Sequence, residues 1–501
     1  MDGKTSQLLL QGGTLLLHDN NNKIIPTRAD LLVEGDRIRK IDVNIEPSSL
    51  MSVIDCSHKI VSPGFVDTHH HVWQSQQKGV HADQILLDYY YSGNLASSHY
   101  TSSDVFWGQL GGLLEAIDAG TTTIVDHAHF NYEPSHSMEG IRATVASGIR
   151  SVFCYCVHPR VATWQPELTF EEDFLPDWVM ETFKELAALQ PFGPGGRVRL
   201  GFAIDAALVP PGTLRSLLLE VRTSGAHIIT SHETRIAMMK DIPSAVKIMA
   251  DNNLLGPDVL FSHANHTTSE ERRCILDAGA HISSTPITEM QMGHGTPIAL
   301  QPDIFGSSSL GVDCHSLCSS FIPGQMLTLL QSHRARRYTD LMASNEWDAS
   351  VGPTVEDVYN LGTILGAKAV GLQEEIGSLK EGKKADIVIF DGKSPAMLSV
   401  ANQNPVAGIV LHSSVRDIQT VIVDGIIRKD KSSLIDITVS SNLSQKGTAP
   451  NNQTTLTWDD VSVELEKSRE SLNRKMKSTV NEDKARDGLI RSFLEQLAKA
   501  S

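Results

Sequence analysis

"SPGFVDTHHHVWQ", residues 62–74, sets three consecutive histidines behind a Pro-Gly pair and a short apolar run. Read as a strand, its alternate side chains share a face, so His69 and His71 point to one side and His70 to the other. Two neutral imidazoles meeting at a strand end suit zinc or ferrous iron. Three surface histidines in a turn are the bland alternative. What decides between them is whether other strands end in the same way.

Working outward, they do. Apolar runs recur through the middle of the chain: "TTTIVDHAHF" (121–130), "GIRSVFCYCVHP" (148–159), "RVRLGFAIDAA" (197–207), "AHIITSHET" (226–234), "DVLFSHANH" (258–266), "HISSTP" (281–286) and "SSLGVDCHS" (308–316). Helical stretches such as "GQLGGLLEAIDAG" (108–120) and "GTLRSLLLEVRTSG" (212–225) lie between them and end in glycine, as helices often do. Repeated strand-then-helix over about 300 residues predicts an α/β fold with a parallel sheet, of a length that fits a (β/α)8 TIM-like barrel. Barrel enzymes place their chemistry at the C-terminal ends of the strands. Here His232 follows "AHIITS", His263 follows "DVLFS" and Asp313 follows "SSLGV". Any one of these alone is more often a buried, hydrogen-bonded polar residue. Four strands ending in the order His-x-His, His, His, Asp are hard to explain as chance.

Short strands of another texture flank this region: "LLLQGGTLLL", "DLLVEGDRIRKID" and "SVIDCSHKIV" before it, "KKADIVIFDG" and "IQTVIVDGIIRK" after it. They predict a small β-sandwich domain built from residues 1–62 and 374–435 around a barrel of residues 63–373. Residues 436–456, poor in apolar side chains, read as a flexible linker. Residues 457–501 read as a helical tail opened by Thr457 and Asp460 in a capping-box pattern. That tail is expected to pack on the body or on a neighbouring subunit and to carry no chemistry.

A formal charge of −16, from 43 basic and 59 acidic residues, argues against a nucleic-acid partner and against docking on anionic lipid. No apolar run approaches the length of a membrane span. The start "MDGKTSQLLLQGG" does not read as a signal peptide, and six scattered cysteines suit reduced thiols, so the expectation is a cytoplasmic protein. Cys154 and Cys156 fall on one face of a strand and read as buried free thiols.

Taken together, "PGFVDTHHHVWQ", "GTTTIVDHAHF", "GPDVLFSHANH", "LGVDCHS" and "GSLKEGKKADIVIFD" resemble the amidohydrolase superfamily, within it the cytosine deaminase-like branch that includes guanine deaminases and triazine hydrolases. The resemblance spans about residues 6 to 430 and implies a metal-dependent hydrolase of a small cyclic or heteroaromatic molecule, cutting a C–N or C–halogen bond. It assigns His69, His71, His232 and Asp313 to one divalent ion, most readily zinc with ferrous iron as the alternative. It sets His263 beside them and leaves His70 a hydrogen bond behind the strand. Such an ion lowers the pKa of bound water from 15.7 to about 7. Asp313 would accept that water's proton, and His263 would stabilise charge on the attacked group. The early strands "RSVFCYCV" and "RVRLGFAID" contain no lysine to bridge a second metal, so a mononuclear centre follows. The resemblance also leaves a homo-oligomer open.

One departure stands out. Deaminases of this branch usually carry a glutamate three residues after the fifth-strand histidine, where this chain has Arg235 in "SHETR". Glu233, adjacent to His232, points to the opposite face of a strand and reads as an ion-pair partner outside the barrel. Arg235 is a candidate for an acidic substrate group. His127, His129, Glu289 and His315 are candidates for the missing proton carrier, and His127 and His129 also as pocket-lining residues. Tyr89 to Tyr91, in "LLDYYYSGN", are candidates for stacking on a planar substrate, and the methionines of "STPITEMQMGHG" (284–295) for an apolar wall. The departure favours a broad choice of deaminase or cyclic amidase, with a metal-assisted lyase as the second reading. The substrate in each case is a small molecule.

Overall fold

The computed structural model describes residues 7–235, 243–440 and 453–500. Eight successive parallel staves make the barrel: Phe65–His71, Thr121–Ala128, Arg150–Val157, Val198–Ile204, Ile229–Glu233, Val259–His263, His281–Ser284 and a split eighth, Ser308–Leu310 followed by Asp313–Cys314. The first half of the eighth pairs with the seventh, and the second half pairs with the first, Asp313 opposite His70 and Cys314 opposite His71. The ring is therefore closed, and the break lies at Gly311 and Val312. Gly311 is required there: a Cβ on it would stand 2.6 Å from the carbonyl oxygen of His69 and 2.8 Å from its amide nitrogen. This close approach lets the Val312 amide donate to the His69 carbonyl at 3.1 Å.

The helices around the barrel begin where capping chemistry allows. Thr101 and Asp104 form a capping box that opens Ser102–Asp118, and Thr268 and Glu271 form another that opens Ser269–Asp277. Pro211 opens Pro211–Thr223, where its missing amide costs nothing. Tyr155, Phe183, Phe202, Phe261 and Leu218 are among the buried side chains of the main apolar core.

A second, mixed sheet of nine strands holds the two ends of the chain together. Lys59–Pro63 lies between Gln7–His18 and the returning Ile387–Asp391, which pairs in turn with Ile418–Val423. Alternation along these strands buries both faces. Ile387, Ile389 and Ile422 share one cluster with Leu10, Leu31 and Val33. Val388, Phe390, Val421 and Val423 share another with Phe65, Ile117 and Ile124 of the barrel region. At the same junction Arg150, at the start of the third barrel strand, is buried between Asp386 and Asp424, 2.9 Å from each.

The segment expected to be a linker is structured at both described ends. Ile437–Ser440 pairs antiparallel with Gln453–Leu456; residues 441–452 of that expectation lie outside the described residues. Pairing between two four-residue strands so far apart leaves no local signal in composition. The tail forms two helices, Trp458–Thr479 and Glu482–Ala500, and packs on its own body. Leu472 joins the main core. Ser468 bonds with Gln76 and Asp104, and Ala485 and Leu489 pack with Tyr91 and Leu95. Among the described residues no helix is long and apolar enough to cross a membrane.

Candidate metal centre and active-site pocket

The strand ends deliver their side chains to one point. Nε2 of His69 and Nε2 of His71 lie 3.2 and 3.1 Å from the same oxygen, Oδ1 of Asp313. Nε2 of His232 is 3.4 Å from Nε2 of His71. His263 turns its Nε2 to 3.9 Å from the other carboxylate oxygen, Oδ2. His69, His232, His263 and Asp313 each bring a donor atom within 4.8 Å of the others. His70 faces away: Nδ1 is 2.7 Å from Asp67 and Nε2 2.9 Å from Nδ1 of His315, which continues to Glu115.

The fit to a cation can be tested on the far side of each ring. His71 Nδ1 donates to the His127 carbonyl at 2.9 Å, so its Nε2 presents a lone pair. His232 Nδ1 donates to Asp205 Oδ1 at 2.8 Å, which fixes the same tautomer. His69 Nδ1 shares a hydrogen bond with Ser262 Oγ at 2.8 Å, and its buried Nε2 lacks a hydrogen-bond partner. Lone pairs brought this close repel unless positive charge lies among them, and an outer carboxylate or carbonyl on each imidazole is how proteins orient metal ligands. Burial holds the protonated forms of His69 and His71 down, although the Asp313 carboxylate beside them opposes it; at His232 burial is outweighed by the Asp205 carboxylate, which raises it. Burial likewise brings His263 down to about 4. The donor set of imidazoles and one carboxylate fits a divalent ion.

Two of these side chains sit on strained backbone. His263 has φ +73° and Asp313 φ +69°, in the left-handed region that L-residues with a Cβ enter at a cost of order 1–3 kcal/mol. The left-handed turn aims both side chains inward, His263 from the last residue of its strand and Asp313 from the first residue of the second half of the eighth. Functional sites are where such strain is tolerated.

A cavity opens over the cluster, walled by Leu86, Leu87, Tyr90, Leu208 and Met292, with His71, His232, His263 and Asp313 at its base. No lysine or arginine lines it among the described residues. Tyr89 lines it too, its hydroxyl accepting from Gln74 at 2.7 Å, whereas Tyr91 is turned into the contact with the tail. Met292 supplies the methionine wall; Met290 is exposed.

Five further candidates lie away from the cavity lining. Arg235 lies outside the cavity, its guanidinium held by Glu233 at 3.2 Å and Glu271 at 2.8 Å. Two nearby carboxylates on the barrel's outer side claim the charge. His127 and His129 do not line the cavity but stand behind it, because the rings of His71 and His232 cover them: His129 lies 3.9 Å from the His71 ring and His127 4.3 Å from the His232 ring, centre to centre. Of the other proton-carrier candidates, Glu289 is buried behind His263, bonded to the Thr285 amide, Ser284 and Asn265. His315 belongs to the chain behind His70. Glu233 is where its strand position put it, accepting from the Ala245 amide at 2.6 Å. Sequence reasoning missed Asp205 and His294, both of which line the cavity. Asp205 ends the apolar run of the fourth strand, the very signal that had flagged His232, His263 and Asp313. His294 sits between two glycines in a loop and carries no periodic signal.

A closed (β/α)8 barrel whose strands bring imidazoles and a carboxylate to a cavity at their C-terminal ends defines a metal-dependent hydrolase. The profile of the Amidohydrolase family matches residues 60–427, and the chain belongs to that family, hydrolases that act here on carbon–nitrogen bonds. Relatives include the 5-methylthioadenosine/S-adenosylhomocysteine deaminase of Carboxydothermus hydrogenoformans, 27% identical over 85% of this chain and 94% of that one. Another is the 5'-deoxyadenosine deaminase of Methanobrevibacter smithii, 27% identical over 84% and 92%. The fold is shared with a zinc-bound adenosine deaminase from Xanthomonas campestris, at a TM-score of 0.75 and 14% identity over 94% and 99% of the two chains. It is also shared with the zinc complex of an atrazine chlorohydrolase from Arthrobacter aurescens, at a TM-score of 0.74 and 17% identity over 92% and 100%. All of these are deaminases or hydrolases by name; the lyase reading finds no support among them.

Proposed function

We propose that this protein deaminates an uncharged 6-aminopurine nucleoside of the 5'-deoxyadenosine or 5'-methylthioadenosine kind, with zinc held by His69, His71, His232 and Asp313. The observation that carries the reading is the convergence of three imidazole Nε2 atoms and one carboxylate oxygen at the base of a cavity that no lysine or arginine lines among the described residues. The names of the relatives supply the substrate class.

When bound, the ion acidifies water and polarises the attacked group. The chain's own residues do the rest. Asp313 accepts a proton from the attacking water as the new C–O bond forms, and returns it to the amine as the C–N bond breaks and ammonia leaves. With the Thr285 hydroxyl 2.9 Å from Nδ1 and donating to it, His263 keeps its N–H on Nε2, aimed at charge developing on the substrate. Leu86, Leu87, Leu208 and Met292 exclude water from the heterocycle.

The test is ammonia release from 5'-deoxyadenosine, 5'-methylthioadenosine, adenosine and S-adenosylhomocysteine. The first two should be turned over best. S-adenosylhomocysteine should be poorest, since its charged amino-acid tail meets no lysine or arginine on the described wall. No ammonia from any of them overturns the proposal.

A further inference from the structure

His294 is a buried imidazole with nothing to bind. Only 2% of its surface is exposed, and neither Nδ1 nor Nε2 has a hydrogen-bond partner. Native interiors rarely leave both polar atoms of a side chain unmet. Other buried histidines near the metal cluster have evident neighbours. His129, also unpartnered, packs at a tilt against His71 and does not line the cavity. His294 alone, among the described residues, lines the cavity with both ring nitrogens free.

Its placement is built. The loop carrying it follows the short helix Pro286–Gln291, and Gly293 and Gly295, at φ +78° and +92°, make the two sharp turns that swing the ring inward. The His294 amide donates to the Glu289 carbonyl at 2.9 Å, and Glu289 is itself anchored by the Thr285 amide and Asn265. The ring stands edge-on to His263, 4.7 Å between centres, beside the Asp313 carboxylate. Burial keeps it uncharged. A neutral imidazole offers one N–H and one lone pair. The reacting edge of a 6-aminopurine carries an amino donor next to a ring-nitrogen acceptor.

Resting on the deaminase reading, we propose that His294 is a substrate-recognition residue, hydrogen-bonding the heteroaromatic edge next to the attacked carbon.

The experiment compares wild type with His294→Ala, His294→Leu and His294→Gln, measuring kcat, KM and bound metal, with calorimetric binding of 5'-deoxyadenosine and 5'-methylthioadenosine. Leu keeps bulk without polar atoms, whereas Gln keeps a donor and an acceptor. The expected result is a rise in KM and Kd of about tenfold for Ala and Leu, largely recovered in Gln, with metal content unchanged in all three. Affinity within about twofold of wild type in Ala and Leu overturns the inference, and so does an equal loss in Gln. Binding by wild type without ammonia release overturns the deaminase reading while still deciding the role of His294. No binding by wild type overturns both.

Discussion

Glu289 shows how much a single buried group can shape this protein's response to pH. Burial raises its carboxyl from 4.5 to about 8, against opposing hydrogen bonds from Thr285, Ser284 and Asn265. The folded state therefore keeps it protonated at neutral pH while the unfolded chain ionises above 4.5. Its contribution to stability is complete below the unfolded value and is lost as pH climbs through about 8, a difference worth about 5 kcal/mol over the whole window. Glu289→Gln should flatten this: between pH 5 and 8 the wild-type melting temperature falls relative to the variant. A constant difference across that range counts against the shift. Much of the residue-level site was legible. His69 and His71 announced themselves by alternation, and His232, His263 and Asp313 by closing apolar runs. Asp205 gave the same signal but drew no notice because it touches the centre only through His232. The inward turn of Asp313 was not legible, since it depends on a left-handed backbone that aspartate tolerates without advertising.

At the level of elements, the tail is the feature with most leverage on the cavity. The segment Leu86–His99 forms one wall, and its outer side rests on the tail: Arg486 pairs with Asp88 at 2.7 Å, and the His99 ring is 2.6 Å from Thr479. Leu489 is buried against Tyr91 and Leu95. Leu489→Ala should cost this docking about 2–5 kcal/mol and raise KM for the nucleoside several-fold, with metal content held. An unchanged KM would show that the wall stands without its brace. The barrel strands could be read because each is a compact apolar run with a polar stop. The split in the eighth could not, because only three-dimensional closure against His69 demands Gly311. The tail's partner was equally hidden: its apolar positions announce a helix, not the surface that receives it.

Across the whole molecule, the barrel and the mixed sheet are joined by buried charge as well as by apolar packing. Arg150 reaches Asp386 and Asp424, and Arg197 and Lys384 also approach Asp424, at 3.5 and 3.3 Å. Removing the central cation leaves Asp386 buried without a cation and Asp424 with only its two longer pairs, and breaking a buried ion pair typically costs about 3–5 kcal/mol. Arg150→Ala should therefore lower the thermal midpoint sharply and leave metal stoichiometry at 25 °C unaltered. A midpoint within a degree of wild type would mean the ions are solvated in practice. The two-part architecture was legible from the recurrence of one strand texture at both ends of the chain. The ion cluster was not, because its members are spread from position 150 to 424.

The strand order of that sheet also fixes a timetable. Lys59–Pro63 is flanked on one side by Ile387–Asp391, so during synthesis this strand waits, with an open edge, for a partner far downstream. The pocket wall gains its backing later still, from Glu482–Ala500. A nascent chain thus brings its candidate metal ligands together before that wall is braced, and a chaperone that shields exposed strand edges would have its longest engagement with the strands that precede the barrel.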